Sequence, residues 1–377
     1  MTKVDQSLQR SMALFDQICE LIRSKGPISF KTFMDKALYT PELGYYMQSG
    51  LTLGQDFITS PQLGPWFAAS LAQASQPLLK ACPAEACVVE FGPGSGQLCY
   101  DFLMACDRSH TLPDRYYLVE ISPSLRALQA HTCETLPAHL KSRIEWVDAC
   151  PEMSGVVIAN EFIDAWPIDQ FALMPDIQMR CVDLNDEGAL TWRLQPLDSS
   201  DPCYQAVESL SLERVNGFYS EIQLDLNQWF RDTSAQIKQG GVLLIDYGLT
   251  ERMYYDPGRM QGTLRCHSGH RVHDDPLFQP GTQDITAKVN WTAVARAALA
   301  SGWTLSGDTD QASFLMKNGL ERELMQREAP LSLEAALQIK QLTLPTEMGQ
   351  AFQVLGLSKH ASMSCFDACD RQPSLWY

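Results

Sequence analysis

The feature that most constrains this chain is the alternation of short apolar segments with helical patterns between residues 87 and 159. Residues 87–91 (CVVEF) read as a strand, about 96–106 as a helix, 115–120 as a strand and about 123–131 as a helix, followed by strands at 144–147 and 155–159. Strands separated by helical crossovers return in parallel, so this order predicts an α/β fold, a mostly parallel sheet with helices on both faces. Sheets of this kind place their chemistry outside the carboxyl ends of the strands.

The flanking text is of a different style. Apolar positions at Leu8, Met12, Phe15, Ile18, Cys19 and Ile22 recur at helical spacing over residues 5–24, and Gly26-Pro27 ends the run. Further helices are expected at 29–38 and near 62–76, which makes residues 1–85 a helical and looped extension. The first half of the core then covers 86–168. Short strand-like pieces at 170–174, 178–184 and 189–194, broken by Asp198 to Pro202, make 169–220 an inserted α+β segment. A helix at about 221–238, the pair Gly240-Gly241 and strand 242–246 open the second half, 221–377. A helix at 291–301, segment 303–317, a helical stretch over 319–350 and the apolar run 352–357 complete it.

Composition narrows the function classes. The chain has 377 residues, long enough for two or three units of roughly 150 residues each. Apolar residues make up 45% and charged residues 20%, which excludes collagen-like and disordered classes. A net charge of −16 repels a phosphate backbone, so nucleic acid and anionic membrane are not expected partners. No run of about 18 apolar residues occurs, and the first residues carry no leader pattern. Twelve cysteines without a Cys-x-x-Cys pair then read as reduced thiols of a cytoplasmic chain, Cys365 and Cys369 included.

The sharpest local motif is Glu90-Phe91-Gly92-Pro93-Gly94-Ser95-Gly96, where strand hands over to helix. Glycines there allow a tight turn and close approach of a ligand; an ordinary strand-to-helix turn is the competing reading. The sixth place of a dinucleotide fingerprint is Gln97, which argues against a pyrophosphate and against an NAD-dependent oxidoreductase. Glu90 would repel phosphate yet suit a ligand carrying an ammonium and a sulfonium. Glu120 ends the next strand, where a carboxylate can accept from two ribose hydroxyls. Asp148 follows the third strand and could meet an adenine amine, or be a surface turn residue. The fourth strand runs into Asn160-Glu161-Phe162-Ile163-Asp164; Glu161 and Asp164 could hold a guanidinium and aim one nitrogen at a donor carbon, against the competing duty of a helix N-cap. Asp246 ends another core strand, as an acid supporting the site from behind, an acceptor-side acid or a turn residue. Cys266, His267, His270 and His273 crowd one polar loop with Asp284 beyond it, a pattern that suits substrate cover better than zinc. Asp56, Thr59 and Ser60 could fold over the nucleotide pocket, or cap a helix before Pro61.

Longer stretches carry a resemblance: Phe33-Met34 with Ala37-Leu38-Tyr39 and Gly44-Tyr45-Tyr46, then residues 56–61, 88–96 (VVEFGPGSG), 119–126 (VEISPSLR), 159–167 (ANEFIDAWP), 243–248 (LLIDYG) and 262–291. Over nearly its whole length the chain resembles class I S-adenosylmethionine-dependent methyltransferases of the MidA-like family, which includes mitochondrial arginine methyltransferases of complex I assembly. One departure is Gln55, between Gly54 and Asp56, where the family has Gly-Asp-Phe. The resemblance implies a Rossmann-like methyltransferase sheet and S-adenosyl-L-methionine as cofactor. It implies cofactor contacts at Glu90, Gly92, Pro93, Gly94, Ser95, Gly96, Glu120, Ile121, Asp148 and Asn160, with Asp56, Thr59 and Ser60. It further implies catalytic Glu161, Asp164 and Asp246, and acceptor contacts at His267, His270 and Asp284. The expected acceptor is an arginine of a protein, a respiratory-complex subunit being one option; a second copy of the chain is another expected partner, and no metal is. A bacterial cytoplasmic relative fits the sequence better than a mitochondrial one. A non-catalytic assembly factor that keeps the cofactor pocket is the alternative.

Overall fold

In a computed structural model of the chain, the described residues are 3–48, 58–82, 85–269, 271–325 and 330–367. The chain divides into two compact units, each assembled from three stretches. One holds Met1–Phe57, Asp164–Leu226 and Leu249–Asn290; the other holds Ile58–Ile163, Asn227–Gly248 and Trp291–Tyr377. Residues 1–57 of the extension expected over 1–85 thus join the inserted segment and the histidine-rich loop, whereas its later part, with the helix Trp66–Ala81, belongs to the second unit. The cause is long-range: Ile28–Ser29 pairs antiparallel with Ile177–Leu184, Ile28 opposite Val182. The long helix Lys3–Lys25 adds Leu14, Ile18 and Ile22 to a core that also takes Phe30, Phe33, Val182 and Ile285. Leu8 and Met12 of the expected stripe stay exposed.

The first unit's sheet is antiparallel, in the order Ile28–Ser29, Ile177–Leu184, Asp169–Leu173, Phe218–Ile222, with Leu190–Pro196 on the flank of Ile177–Leu184. A ribbon places Arg265–Ser268 between Arg271–His273 and Asp284–Thr286. The helix expected over 221–238 begins later, at Leu226, because Phe218–Ile222 pairs with Asp169–Leu173. Among the described residues no helix is long and apolar enough to cross a membrane.

The second unit carries the α/β sheet. Its strands are β1 (Cys87–Phe91), β2 (Tyr116–Val119), β3 (Ile144–Val147), β4 (Met153–Asn160), β5 (Ile237–Leu249), β6 (Thr304–Asp310) and β7 (Phe352–Lys359). Their order is β3-β2-β1-β4-β5-β7-β6. The pairs from β3 through β5 are parallel, whereas β7 runs antiparallel to both β5 and β6. This is the mostly parallel α/β sheet that the alternating pattern predicts. All five residues of β1 are buried, as a central parallel strand covered on both faces requires. Helices α1 (Trp66–Ala81), α2 (Gln97–Arg108) and α3 (Pro123–Thr132) follow the expected ranges within a few residues. Phe67, Leu71, Phe102, Leu103, Tyr116 and Leu118 form one core with Val156 and Leu243. Each fully buried side chain of this size contributes on the order of 1.5–3 kcal/mol.

Candidate active site

Strand β1 lies between β2 and β4, so the chain's crossovers leave β1 on one side for β2 while β4 pairs on the other. That reversal opens a crevice over the carboxyl ends of β1 and β4. The turn leaving β1 has Gly92 at φ +62°, Gly94 at +52° and Gly96 at +80°. A Cβ on Gly92 would stand 3.0 Å from the Phe162 ring, and one on Gly96 would stand 3.0 Å from the Gln129 backbone. Both turn and packing therefore require glycine. Helix α2 starts directly after the turn, so its unpaired N–H groups open toward the crevice end of the sheet.

The strand-end acids divide into different roles. Glu90 is 3% exposed and accepts the Tyr116 hydroxyl at 2.9 Å. Burial pushes its carboxyl up to about 8, so at neutral pH it is mostly protonated and turned to the core. Glu120, buried at the end of β2, accepts the Ser122 N–H at 2.8 Å on one oxygen and the Gln129 amide at 3.1 Å on the other. Burial raises its pKa, and those two donors act against the rise. Next to it Ile121 is exposed. Asp148 is also in solvent, and pairs with Arg126 at 2.5 Å. Arg126 further binds the carbonyls of Glu120 at 2.7 Å and Val147 at 3.1 Å. Asp148 thus stands at the end of β3 as an exposed acid held by Arg126.

At the end of β4, Asn160 donates its amide to Glu161 Oε1 at 3.2 Å, while its own Oδ1 is buried and meets no donor. Glu161 holds φ +47°, a left-handed conformation uncommon for a residue other than glycine. Its N–H is fixed to the Ile245 carbonyl at 2.8 Å, and its Oε1 also accepts the Ser60 N–H at 3.4 Å. Ser60 begins a short turn capped by Thr59, and its hydroxyl donates to Gln311 at 3.0 Å. Asp246, 2% exposed, accepts the Ile163 N–H at 3.1 Å and the Tyr247 N–H at 2.9 Å. It thereby pins the turn carrying Glu161 and Phe162.

In the first unit, Asp164 has its carbonyl on the Ala287 N–H at 2.9 Å. Asp284 is 1% exposed and accepts the Tyr46 hydroxyl at 2.7 Å, with His267 opposite it in the ribbon. Burial, and then Asp284, push the Tyr46 phenol well up. Asp56 and His270 lie outside the described residues. Around the crevice of the second unit, then, stand the glycine turn with Pro93 and Ser95, Glu120, Ile121, Thr59, Ser60, Asn160, Glu161 and Asp246. Sequence reading missed Gln129, a buried amide on α3; its signal was its place one turn after Leu125, on the helix's buried line.

These residues fit a cationic nucleoside-amino acid. Asn160 Oδ1 is a buried acceptor awaiting a donor such as an ammonium, Glu120 offers a carboxylate to vicinal hydroxyls, and Ile121 offers apolar cover to a base. A profile of the family described as S-adenosyl-L-methionine-dependent methyltransferase matches residues 63–309. A crystal structure from Burkholderia thailandensis, bound to S-adenosyl-homocysteine, is similar with a TM-score of 0.91 and 33% identity, covering 98% of each chain. The mitochondrial protein arginine methyltransferase NDUFAF7 of Mus musculus is 27% identical over 381 residues, which is 90% of this chain and 83% of that protein. Its Drosophila melanogaster homologue is 27% identical over 389 residues, 92% and 84% of the two chains. The chain belongs to the S-adenosyl-L-methionine-dependent methyltransferase family.

Proposed function

We propose that the protein transfers a methyl group to a guanidinium nitrogen of an arginine in a protein acceptor. The observation that carries this reading is Glu161, an acid held in a strained backbone conformation at the carboxyl end of β4, its oxygen steadied by Asn160 and Ser60. The relatives that span nine-tenths of the chain are protein arginine methyltransferases, which supports the choice of acceptor. Bound S-adenosylmethionine supplies an electrophilic methyl on a sulfonium. The chain's own part is alignment: Glu161 accepts guanidinium N–H groups and fixes the plane of the nucleophile, Asn160 holds the cofactor's ammonium, and Glu120 holds its ribose. An arginine side chain stays protonated at neutral pH, with a pKa above about 12, so orientation and charge balance do more than early proton removal; the nitrogen gives up one proton as it gains the methyl, and Glu161 beside it can pass that proton to solvent. Good alignment can be worth on the order of 7 kcal/mol.

The test adds methyl-labelled donor to a cell lysate with the purified protein and hydrolyses the labelled protein to amino acids. Methylarginine is the expected product; methyl-lysine, or tight cofactor binding with no labelled protein, overturns the reading. In the same assay Glu161→Gln should keep cofactor affinity and slow transfer by about a hundredfold, in the range that positioned groups contribute. Unchanged turnover in that variant would remove Glu161 from its role.

A further inference from the structure

Gln129 is wholly buried on α3, the helix that backs the glycine turn. Its Nε2 donates to the Gly94 carbonyl at 3.0 Å and to Glu120 Oε2 at 3.1 Å. Its Oε1 accepts the indole N–H of Trp146, on β3, at 2.9 Å. An indole N–H only donates, so it fixes which end of the amide is oxygen; both hydrogens of the nitrogen end are then directed to two acceptors. A flipped amide would set donor against donor at Trp146 and oxygen against oxygen at Glu120 and Gly94. The missing Cβ of Gly96, whose position would lie 3.0 Å from the Gln129 backbone, lets the helix come this close. Glu120 is thereby held at both oxygens, by the Ser122 N–H on one and Gln129 on the other, with the Ile121 N–H as a further donor.

We propose that Gln129 is a positioning residue for the cofactor: anchored by Trp146, it locks the Glu120 carboxylate in the orientation that receives the ribose hydroxyls and ties that acid to the glycine turn. The proposal rests on the reading that Glu120 holds the ribose. It makes the amide's worth conditional on those hydroxyls, which a part played only in core packing would not do. Gln129→Met keeps the volume and removes both donors; Trp146→Phe keeps Gln129 and removes its anchor.

The test is calorimetric binding of S-adenosylhomocysteine and of its 2′,3′-dideoxy analogue to the full chain and its variants, with thermal unfolding of each without ligand. Gln129→Met should weaken S-adenosylhomocysteine about tenfold, as loss of a charge-assisted hydrogen bond does. The same substitution should leave the dideoxy analogue within about twofold, and should add nothing in a Glu120→Gln background. An equal loss for both ligands overturns the proposal and leaves Glu120 in its role. If Glu120→Gln binds the two ligands with the wild-type preference, the ribose reading itself falls and takes the proposal with it. Should Gln129→Met fail to fold, Trp146→Phe decides, with a smaller loss confined to the hydroxyl-bearing ligand expected and an equal loss for both overturning it.

Discussion

A carboxyl group on the innermost strand of a sheet has to choose between charge and burial, and Glu90 chooses burial, with a folded pKa of about 8 against an ordinary 4.5. Between those values the folded protein carries a proton that the unfolded chain has lost, so raising the pH through this window removes stability, by at most about 1.4 kcal/mol per pH unit. Glu90→Gln keeps an acceptor for the Tyr116 hydroxyl and has no proton to lose. Urea unfolding at pH 5.5 and 8 should therefore show the variant gaining on the wild type as pH rises; parallel profiles would contradict it. The residue scale is also where sequence reading was weakest. Glu90 and Glu120 both end strands beside the glycine turn, and nothing in their spacing tells that Tyr116 lies under one and Gln129 beside the other. The left-handed backbone of Glu161 was equally hidden, since the residue type gives no warning of it.

Elements owe their boundaries here to local chemistry that is easier to see. Ser122 caps α3 by accepting the Leu125 N–H, and Ser332 caps the helix Leu333–Thr343 by accepting the Ala335 N–H. Replacing either with alanine should cost about 1 kcal/mol in denaturant unfolding. Only Ser122 also holds Glu120, through a backbone N–H that alanine keeps but that sits at the capped end of α3, so loosening the cap in Ser122→Ala should also lower S-adenosylhomocysteine affinity severalfold while Ser332→Ala leaves it alone. Affinity lost equally in both would argue against a local effect. Strand β1 was legible to the residue, because Cys87 to Phe91 is a buried apolar run bounded by polar text and a glycine turn. The strand Phe218–Ile222 was not, since its partner Asp169–Leu173 lies some fifty residues upstream and no local period reveals it.

For the whole molecule, the parallel order of β1 to β5 followed from alternation alone, whereas the joining of Ile28 to Val182 across the sequence depended on contacts that no window of residues contains. The net charge of −16 acts at this scale too, as self-repulsion that dissolved salt screens over about 10 Å at 0.1 M. Thermal unfolding should move upward by a few degrees between very low ionic strength and about 0.2 M sodium chloride; a midpoint that falls or stays put would show that attractive ion pairs outweigh the excess acid. Against a total stability of about 5–15 kcal/mol, typical of folded domains, the left-handed backbone at Glu161 withholds on the order of 1 kcal/mol from every folded copy. Glycine would rest in that well without effort and, on the proposed reading of Glu161, extend nothing toward an incoming nitrogen. Durability and reactivity thus pull one backbone bond in opposite directions, and the molecule has settled on the less durable side.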